Sequence, residues 1–220
     1  MAGWIDIEGE AGAIRGWRVD PAGPPNGAVV VVQEIFGVNP HIREVAARVA
    51  QAGYVALAPS LMDAIERGVE LDYDDAGIAR GREMVARLGF DRAVELVDAA
   101  ADLLAKEGLR TGAVGFCWGG TVALLANTRL GLPATSYYGG RSVPFLGEPL
   151  RAPMLFHFGA RDAIIPPADV QAHRAAYPAA RLHVYDAGHG FNCDRRADFH
   201  AASAALAWTR TLDFLEDALR

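Results

Sequence analysis

The chain has 220 residues, of which 51% are hydrophobic, and this length fits one globular domain over residues 1–220 with a full core. A formal net charge of −6 gives no basic surface for nucleic acid or an anionic membrane, and no apolar run is long enough to span a bilayer. The N-terminal sequence is acidic where a signal peptide is basic, and the two cysteines lack the spacing of a disulfide scaffold or a zinc site. We therefore expect a cytoplasmic monomer that binds neither nucleic acid nor membrane and needs no cofactor and no metal.

Strand patterns dominate the beginning of the chain. Residues 4–20 contain short alternating stretches broken by glycines, which predicts an antiparallel pair of half-buried strands. Residues 28–37, "AVVVVQEIFG", are typical of a strand covered on both faces. A helical pattern over 41–53 and a second buried strand over 54–60 follow, and this strand–helix–strand order requires a parallel sheet.

The remainder of the chain predicts further strands and helices. An irregular, acidic segment over 61–73 is expected on the surface, and the helix after it, over 74–89, is a candidate cap over a site. The other expected elements are a helix at 91–108, a strand at 110–117, a helix at 118–127, strands at 134–140 and 152–160, a helix at 167–177, a strand at 180–188 and a helix at 199–220. This order predicts an α/β fold with an open, mostly parallel central sheet and helices on both faces.

The sequence "VGFCWGG" contains Cys117, a candidate nucleophile. Its neighbours Gly115 and Gly119 allow a strand and a helix to approach closely around a side chain held in a strained backbone conformation. The N-terminus of the helix that begins near Trp118 would favour a thiolate and then an oxyanion. The alternative is that Cys117 is a small buried hydrophobic residue.

An acid and a base follow Cys117 in the chain. Asp162 and His189 each come directly after a predicted strand, and nucleophile, acid, histidine is the order found in α/β-hydrolases. Catalytic groups collect at the carboxyl edge of such sheets, so we expect the three residues to meet there. Asp162 would orient His189, His189 would transfer protons, and Cys117 would attack an acyl carbon. Alternatively, Asp162 only caps a turn and His189 is exposed in a glycine-rich turn.

Several stretches together resemble the dienelactone hydrolase family of α/β-hydrolases, whose nucleophile is cysteine. They are "QEIFGVN", "GFCWGG", "GARDAIIP", "AGHGF" and "RTLDFL", and they span nearly the whole chain. The resemblance implies that Glu34 contacts Cys117 in the resting enzyme and takes its proton when substrate binds. It also implies an oxyanion hole made by the backbone N–H groups of Ile35 and Trp118. Without the resemblance, Glu34 is a rim residue that faces water or pairs with an arginine.

The same resemblance implies two arginines that hold a substrate carboxylate. The first falls at Arg80, with Arg82 nearby. Cys193 occupies the place of the second, so Arg195 or Arg196 is the candidate to replace it. The alternative is that Arg195 and Arg196 are only solvated surface residues. Two further departures from the family, Gly190 for a serine and Met84 for a tyrosine, indicate that the anion pocket is rebuilt or absent.

Other candidate residues lie near the expected site. Of Tyr137 and Tyr138, at the end of a predicted strand, we expect one to pack in the core and the other, Tyr138, to line the cleft. His157 is interpreted as a core histidine, and no pattern of possible catalytic partners surrounds the remaining histidines in the sequence. Cys193 is either a passive loop thiol or a redox-sensitive neighbour of His189.

These observations predict a cysteine-dependent hydrolase that acts on a small-molecule lactone or activated ester through an acyl-cysteine intermediate. The prototypic family substrate is the dienelactone 4-carboxymethylenebut-2-en-4-olide, which is opened to maleylacetate in the degradation of chlorinated aromatic compounds. One alternative is a thiol-dependent esterase or thioesterase with a non-carboxylated substrate. The other is a non-catalytic binding protein with the same fold.

Overall fold

The computed structural model describes residues 1–9 and 12–220, and eight strands in these residues form one sheet. The strands are β1 (Ala2–Ile7), β2 (Ile14–Val19), β3 (Ala28–Val32), β4 (Val55–Pro59), β5 (Thr111–Phe116), β6 (Ala134–Tyr137), β7 (Met154–Gly159) and β8 (Arg181–Tyr185). Their order across the sheet is β1-β2-β4-β3-β5-β6-β7-β8. The pairs β1–β2 and β2–β4 are antiparallel, and all other neighbours are parallel. The mostly parallel sheet predicted from the sequence is therefore confirmed.

The described residues contain six α-helices, of which five lie between strands and the sixth follows β8. They are α1 (Pro40–Gln51), α2 (Asp75–Leu88), α3 (Phe90–Lys106), α4 (Trp118–Leu125), α5 (Pro167–Ala176) and α6 (Ala201–Ala218). Side-chain caps fix two of the starts: Asn39 accepts a hydrogen bond from the backbone of Ile42, and Asp74 accepts one from Gly77. Gly89, at a φ of +73°, ends α2 and begins α3, so the chain turns sharply between two helices that cover the same face.

The valines of β3 show how the sheet is buried on both faces. Val29 and Val31 pack in a core with α1 and α6, whereas Val30 and Val32 pack with α2 and α3 on the opposite face. Successive side chains of a strand point to opposite faces, so a strand covered on both sides needs an unbroken apolar run. Full burial of each such valine contributes about 1.5–3 kcal/mol.

Two boundaries differ from the sequence-based expectation. β3 ends at Val32, and residues 33–37 leave the sheet as a turn toward α1. The segment after β4 was expected on the surface, but it begins with a 3₁₀ turn in which Leu61 and Met62 are buried, and only its later part is exposed. Within residues 1–9 and 12–220, no helix has both the length and the apolar composition needed to cross a membrane.

Candidate active site

Cys117 lies on the tight turn between β5 and α4. Its φ of +54° and ψ of −118° fall in a region that residues with a Cβ rarely adopt, and such strain costs about 1–3 kcal/mol. Two backbone hydrogen bonds hold the turn: Cys117 N–H donates to Tyr137 O at 3.0 Å, and Gly120 N–H donates to Cys117 O at 2.9 Å. The sulfur is thereby presented at the carboxyl edge of the sheet.

The two glycines that flank Cys117 are required by close backbone packing. A Cβ on Gly115 would lie 1.9 Å from the carbonyl oxygen of Gly119. A Cβ on Gly119 would lie 2.2 Å from the carbonyl oxygen of Gln33 and 2.6 Å from that of Val32. Any side chain at these positions would push α4 away from β5 and β3, so the G-x-C-x-G pattern has a steric cause here.

Cys117, His189 and Asp162 form a continuous hydrogen-bonded line. His189 Nε2 is 3.1 Å from Cys117 Sγ, and His189 Nδ1 is 2.8 Å from Asp162 Oδ2. Asp162 Oδ1 accepts hydrogen bonds from the backbone N–H groups of Ile164 at 2.8 Å and Ile165 at 3.1 Å. The loop after β7 therefore fixes Asp162, and Asp162 in turn orients the imidazole from the loop after β8.

The environment of His189 favours its protonated form. Burial opposes the charged imidazolium, but the hydrogen bonds to Asp162 and Cys117 outweigh it and raise the pKa of His189 to about 10. A protonated imidazole beside the sulfur stabilises a thiolate. The arrangement can therefore hold an ion pair between Cys117 and His189.

Cys117 and His189 lie at the wall of an open cleft that encloses about 620 Å³, including part of the open solvent. The cleft lining is mostly apolar, with three arginines. Its residues are Ile35, Phe36, Ile78, Arg82, Cys117, Trp118, Gly140, Arg141, Ile164, His189 and Arg196. Ile78 and Arg82 both come from α2, so the helix considered as a candidate cap borders the cleft.

Ile35 and Trp118, the residues expected to form an oxyanion hole, both border the cleft. Within the described part of the chain, neither backbone N–H donates a hydrogen bond, so both remain available. Close packing of α2 fixes the Ile35 turn, since a Cβ on Gly81 would lie 2.3 Å from the Ile35 carbonyl oxygen. The Gln33 side chain also holds this turn: its amide N–H donates a hydrogen bond to the Glu34 carbonyl, and its amide oxygen accepts one from the Leu61 N–H.

Glu34 is fully buried beneath the cleft, so it does not face water, but the other alternative considered from the sequence, a pair with an arginine, is present. Its Oε2 accepts a hydrogen bond from the Tyr73 hydroxyl at 2.9 Å, and its Oε1 lies 3.4 Å from Arg196 Nη1. The expected contact between Glu34 and Cys117 is not formed in this structure, where the sulfur faces His189 instead. Arg196 connects the buried Glu34 to the cleft, because it contacts Glu34 and also borders the cleft.

Two arginines predicted to bind substrate lie outside the cleft lining. Arg80 is an exposed residue of α2 that pairs with Glu66 and Glu83, and Arg195 pairs with Glu44 on the surface. Their neighbours Arg82 and Arg196 line the cleft instead. Arg82 replaces Arg80 at the cleft for a geometric reason, because residues two apart on a helix point in nearly opposite directions. Arg141, in the loop after β6, was not foreseen.

Tyr138 was expected to line the cleft, but both Tyr137 and Tyr138 are fully buried. Tyr138 has a φ of +41°, its ring centroid lies 5.2 Å from that of His189, and its hydroxyl has no hydrogen-bond partner among the described residues. It therefore packs behind the imidazole rather than against a ligand. The Tyr137 hydroxyl bonds to Thr211 in the core at 2.7 Å.

His157 and Cys193 take no part in the hydrogen-bonded line of Cys117, His189 and Asp162. His157 is a core histidine, as interpreted from the sequence, with its two ring nitrogens bonded to Tyr185 at 2.8 Å and Thr211 at 3.0 Å. Cys193 is buried, and burial together with the nearby Glu34 carboxylate raises the pKa of its thiol to about 11. The thiol of Cys193 is therefore protonated at neutral pH.

Comparison with known proteins adds an independent observation. The family model described as "Dienelactone hydrolase family" matches residues 14–219. A Pseudomonas putida protein named "Carboxymethylenebutenolidase" is 33% identical over 209 residues, covering 89% of this chain and 87% of its own. An Escherichia coli K12 protein named "Putative carboxymethylenebutenolidase" is 34% identical over 238 residues, covering 98% of this chain and 87% of its own. A crystal structure of a Klebsiella pneumoniae protein named "Putative Dienelactone Hydrolase" superposes with a TM-score of 0.87 at 32% identity and covers 97% of both chains. This likeness confirms the predicted α/β-hydrolase fold.

Proposed function

The chain belongs to the dienelactone hydrolase family and is a hydrolase of that type, and from this premise we propose that it cleaves a carboxylated lactone or activated ester through an acyl-cysteine intermediate. The observation that carries the proposal is the hydrogen-bonded line from Asp162 through His189 to Cys117, which ends at the wall of an apolar cleft. A nucleophile, a base and an orienting carboxylate within hydrogen-bond reach are what nucleophilic acyl transfer requires.

Acylation begins when the Cys117 thiol loses its proton beside the protonated imidazole of His189, which forms a thiolate–imidazolium pair. The raised pKa of His189 keeps the imidazole protonated at neutral pH, so the thiol proton needs another acceptor. We assign this role to Glu34, which is released when a substrate carboxylate competes for Arg196. Attack by Cys117 Sγ then forms the carbon–sulfur bond. Collapse of the tetrahedral intermediate breaks the carbon–oxygen bond, and His189 donates its proton to the leaving oxygen.

The negative charge that develops on the carbonyl oxygen is stabilised by the backbone N–H groups of Ile35 and Trp118. Both lack an acceptor in the described part of the chain and both border the cleft, which supports this role. Loss of one such donor typically costs about 3 kcal/mol of barrier.

Deacylation uses the other protonation state of the same histidine. Neutral His189 takes a proton from water, and the hydroxide attacks the thioester carbon. The carbon–sulfur bond breaks and the carboxylic acid leaves, and the thiolate then regains its proton from Glu34 beside the reprotonated imidazole. Asp162 keeps the ring in place throughout, since both of its oxygens are held by hydrogen bonds.

For substrate recognition, we propose that Arg82 and Arg196 hold a carboxylate. Both guanidinium-bearing residues border the cleft beside the nucleophile. The apolar side chains of Ile35, Ile78 and Trp118 suit a flat conjugated ring, and the family's dienelactone is the first substrate to test.

One observation favours a second candidate, a thiol-dependent esterase or thioesterase with a neutral substrate. Arg196 already has a carboxylate partner in Glu34, so its charge is not free until that contact breaks. A neutral ester would leave the pair between Arg196 and Glu34 intact.

A hydrolysis panel of carboxylated lactones and neutral esters tests both candidates. The parent should hydrolyse the carboxylated lactone, and C117S should lose at least roughly 10³-fold in kcat. Intact-protein mass spectrometry with an activated ester should detect an acyl adduct on H189Q and none on C117S. Faster turnover of neutral esters would select the second candidate. Absence of both turnover and adduct would indicate a binding protein.

A further inference from the structure

Glu34, His41 and Cys193 meet in a buried cluster next to the triad. They come from the turn after β3, from α1 and from the loop after β8, and each is 0% exposed. One ligand atom from each residue lies within 4.8 Å of the other two. The sequence gives no hint of this grouping, because the three residues share no spacing motif.

We propose that Glu34, His41 and Cys193 form a binding site for a zinc-type divalent metal ion, separate from the catalytic line of Cys117 and His189. A thiolate, an imidazole and a carboxylate are the donor types that zinc takes in proteins. In a tetrahedral zinc site these donors are about 3.3–3.6 Å apart, so the side chains need to move by about 1 Å. The fourth position is taken by water or by the Tyr73 hydroxyl, which already bonds to Glu34.

His41 supplies the observation that points to a ligand. Its ring is fully buried, and neither Nδ1 nor Nε2 has a hydrogen-bond partner in residues 1–9 and 12–220. A buried polar atom without a partner costs about 1–3 kcal/mol, and a metal bond would satisfy one of these nitrogens.

The charges of the cluster suit a divalent ion. Binding displaces the proton of the Cys193 thiol to solvent, and the thiolate and the Glu34 carboxylate then balance two positive charges. Arg196 must move away, because it now pairs with Glu34.

Exposed carboxylates lie next to the buried His41. Asp194 Oδ1 is 3.8 Å from His41 Nδ1, and its side chain is 59% exposed. Asp194 and Glu44 form a second group of candidate ligands that shares His41 with the buried cluster. An arriving cation therefore meets exposed carboxylates first and then the buried donors.

Metal binding would also change the rate of hydrolysis, a consequence that rests on the proposed function. An ion on Glu34 removes the acceptor for the Cys117 thiol proton. Bound metal is therefore expected to inhibit hydrolysis.

Titration of the full-length protein with Co²⁺, followed by absorption spectroscopy, tests the site without measuring hydrolysis. The parent and C117S should each bind one equivalent with a thiolate-to-cobalt absorption band, whereas C193S should lack the band. Competition for Zn²⁺ against a colorimetric chelator, which needs no cobalt band, should give a dissociation constant about 100-fold weaker for C193S and for H41Q than for the parent, because each loses an inner ligand. Thermal unfolding of both variants confirms that they are folded.

The proposal is overturned if the parent shows no cobalt band, or if the band persists in C193S and disappears in C117S, which would place the metal on the triad. Because C117S cannot turn over substrate, a band in this variant establishes the metal site even if the proposed reaction is wrong. Hydrolysis without any cobalt band would reject the metal site alone.

Discussion

Arg82 and Arg80 are two residues apart on α2, yet only Arg82 borders the cleft that contains Cys117. Arg80 faces outward and is held by Glu66 and Glu83. A helix turns about 100° per residue, so two positions separate the side chains by about 200°. The two arginines thus form a matched pair, with the same charge and the same helix but different access to substrate.

Replacement of Arg82 by alanine should weaken recognition of carboxylated substrates. Loss of a hydrogen bond to a charged group costs about 1.5–3 kcal/mol, so kcat/KM should fall roughly 10- to 100-fold for a carboxylated lactone and stay nearly constant for a neutral ester. R80A is the control and should remain within about twofold of the parent on both substrates. Steady-state kinetics on the two substrates measures this, and equal losses in R82A and R80A would argue against a carboxylate contact.

The raised pKa of His189 predicts how stability depends on pH. The folded-state value of about 10 lies above the ordinary 6.5, so the stabilisation is complete below pH 6.5 and is lost as the pH rises toward 10. The free energy of unfolding should fall by about 2–4 kcal/mol over this range because of this group. Urea denaturation between pH 6 and 10 tests this, with H189Q as the reference. Parallel pH profiles for parent and H189Q would show that the pKa is not raised.

The grouping of Cys117, Asp162 and His189 could be predicted from sequence because each residue comes shortly after a strand of the sheet. The carboxyl ends of parallel strands share one edge, so the order of elements was enough to bring the side chains together. The glycines around Cys117 gave a further local signal, since their role depends only on the adjacent strand and helix.

Features that depend on tertiary packing could not be predicted in the same way. Counting back from a family motif gave Arg80 rather than Arg82. A sequence offset does not show which face of a helix points toward the cleft. The spacing of Ile78 and Arg82, four residues apart on one helix face, was the available signal. The partners of Glu34 could not be foreseen, because Tyr73 and Arg196 approach it from distant loops.

The close packing of Gly119 predicts a large loss of stability on substitution. In G119A, the new Cβ would lie 2.2 Å from the Gln33 carbonyl oxygen, and this backbone atom cannot move without displacing β3. We expect about 3 kcal/mol or more of destabilisation, at the upper end of overpacking effects. Gly147 is the control, because it is exposed and a Cβ there meets nothing within 4 Å. Thermal unfolding should show a lower midpoint for G119A than for the parent and an unchanged midpoint for G147A. Equal midpoints for G119A and the parent would contradict the steric argument.

The contact of Glu34 with Arg196 predicts the reactivity of Cys117. In E34Q, Arg196 loses its negative partner, and its charge, together with the loss of a nearby carboxylate, favours a thiolate at Cys117. Alkylation of Cys117 by iodoacetamide at pH 7 should therefore be several-fold faster than in the parent, because the thiolate is the form that reacts. Glu44 is exposed and pairs with Arg195 on the surface, so E44Q should leave the rate unchanged. Mass spectrometry of the modified peptide assigns the reacting cysteine, and a slower reaction in E34Q would show that Glu34 promotes the thiolate in the free enzyme instead of suppressing it.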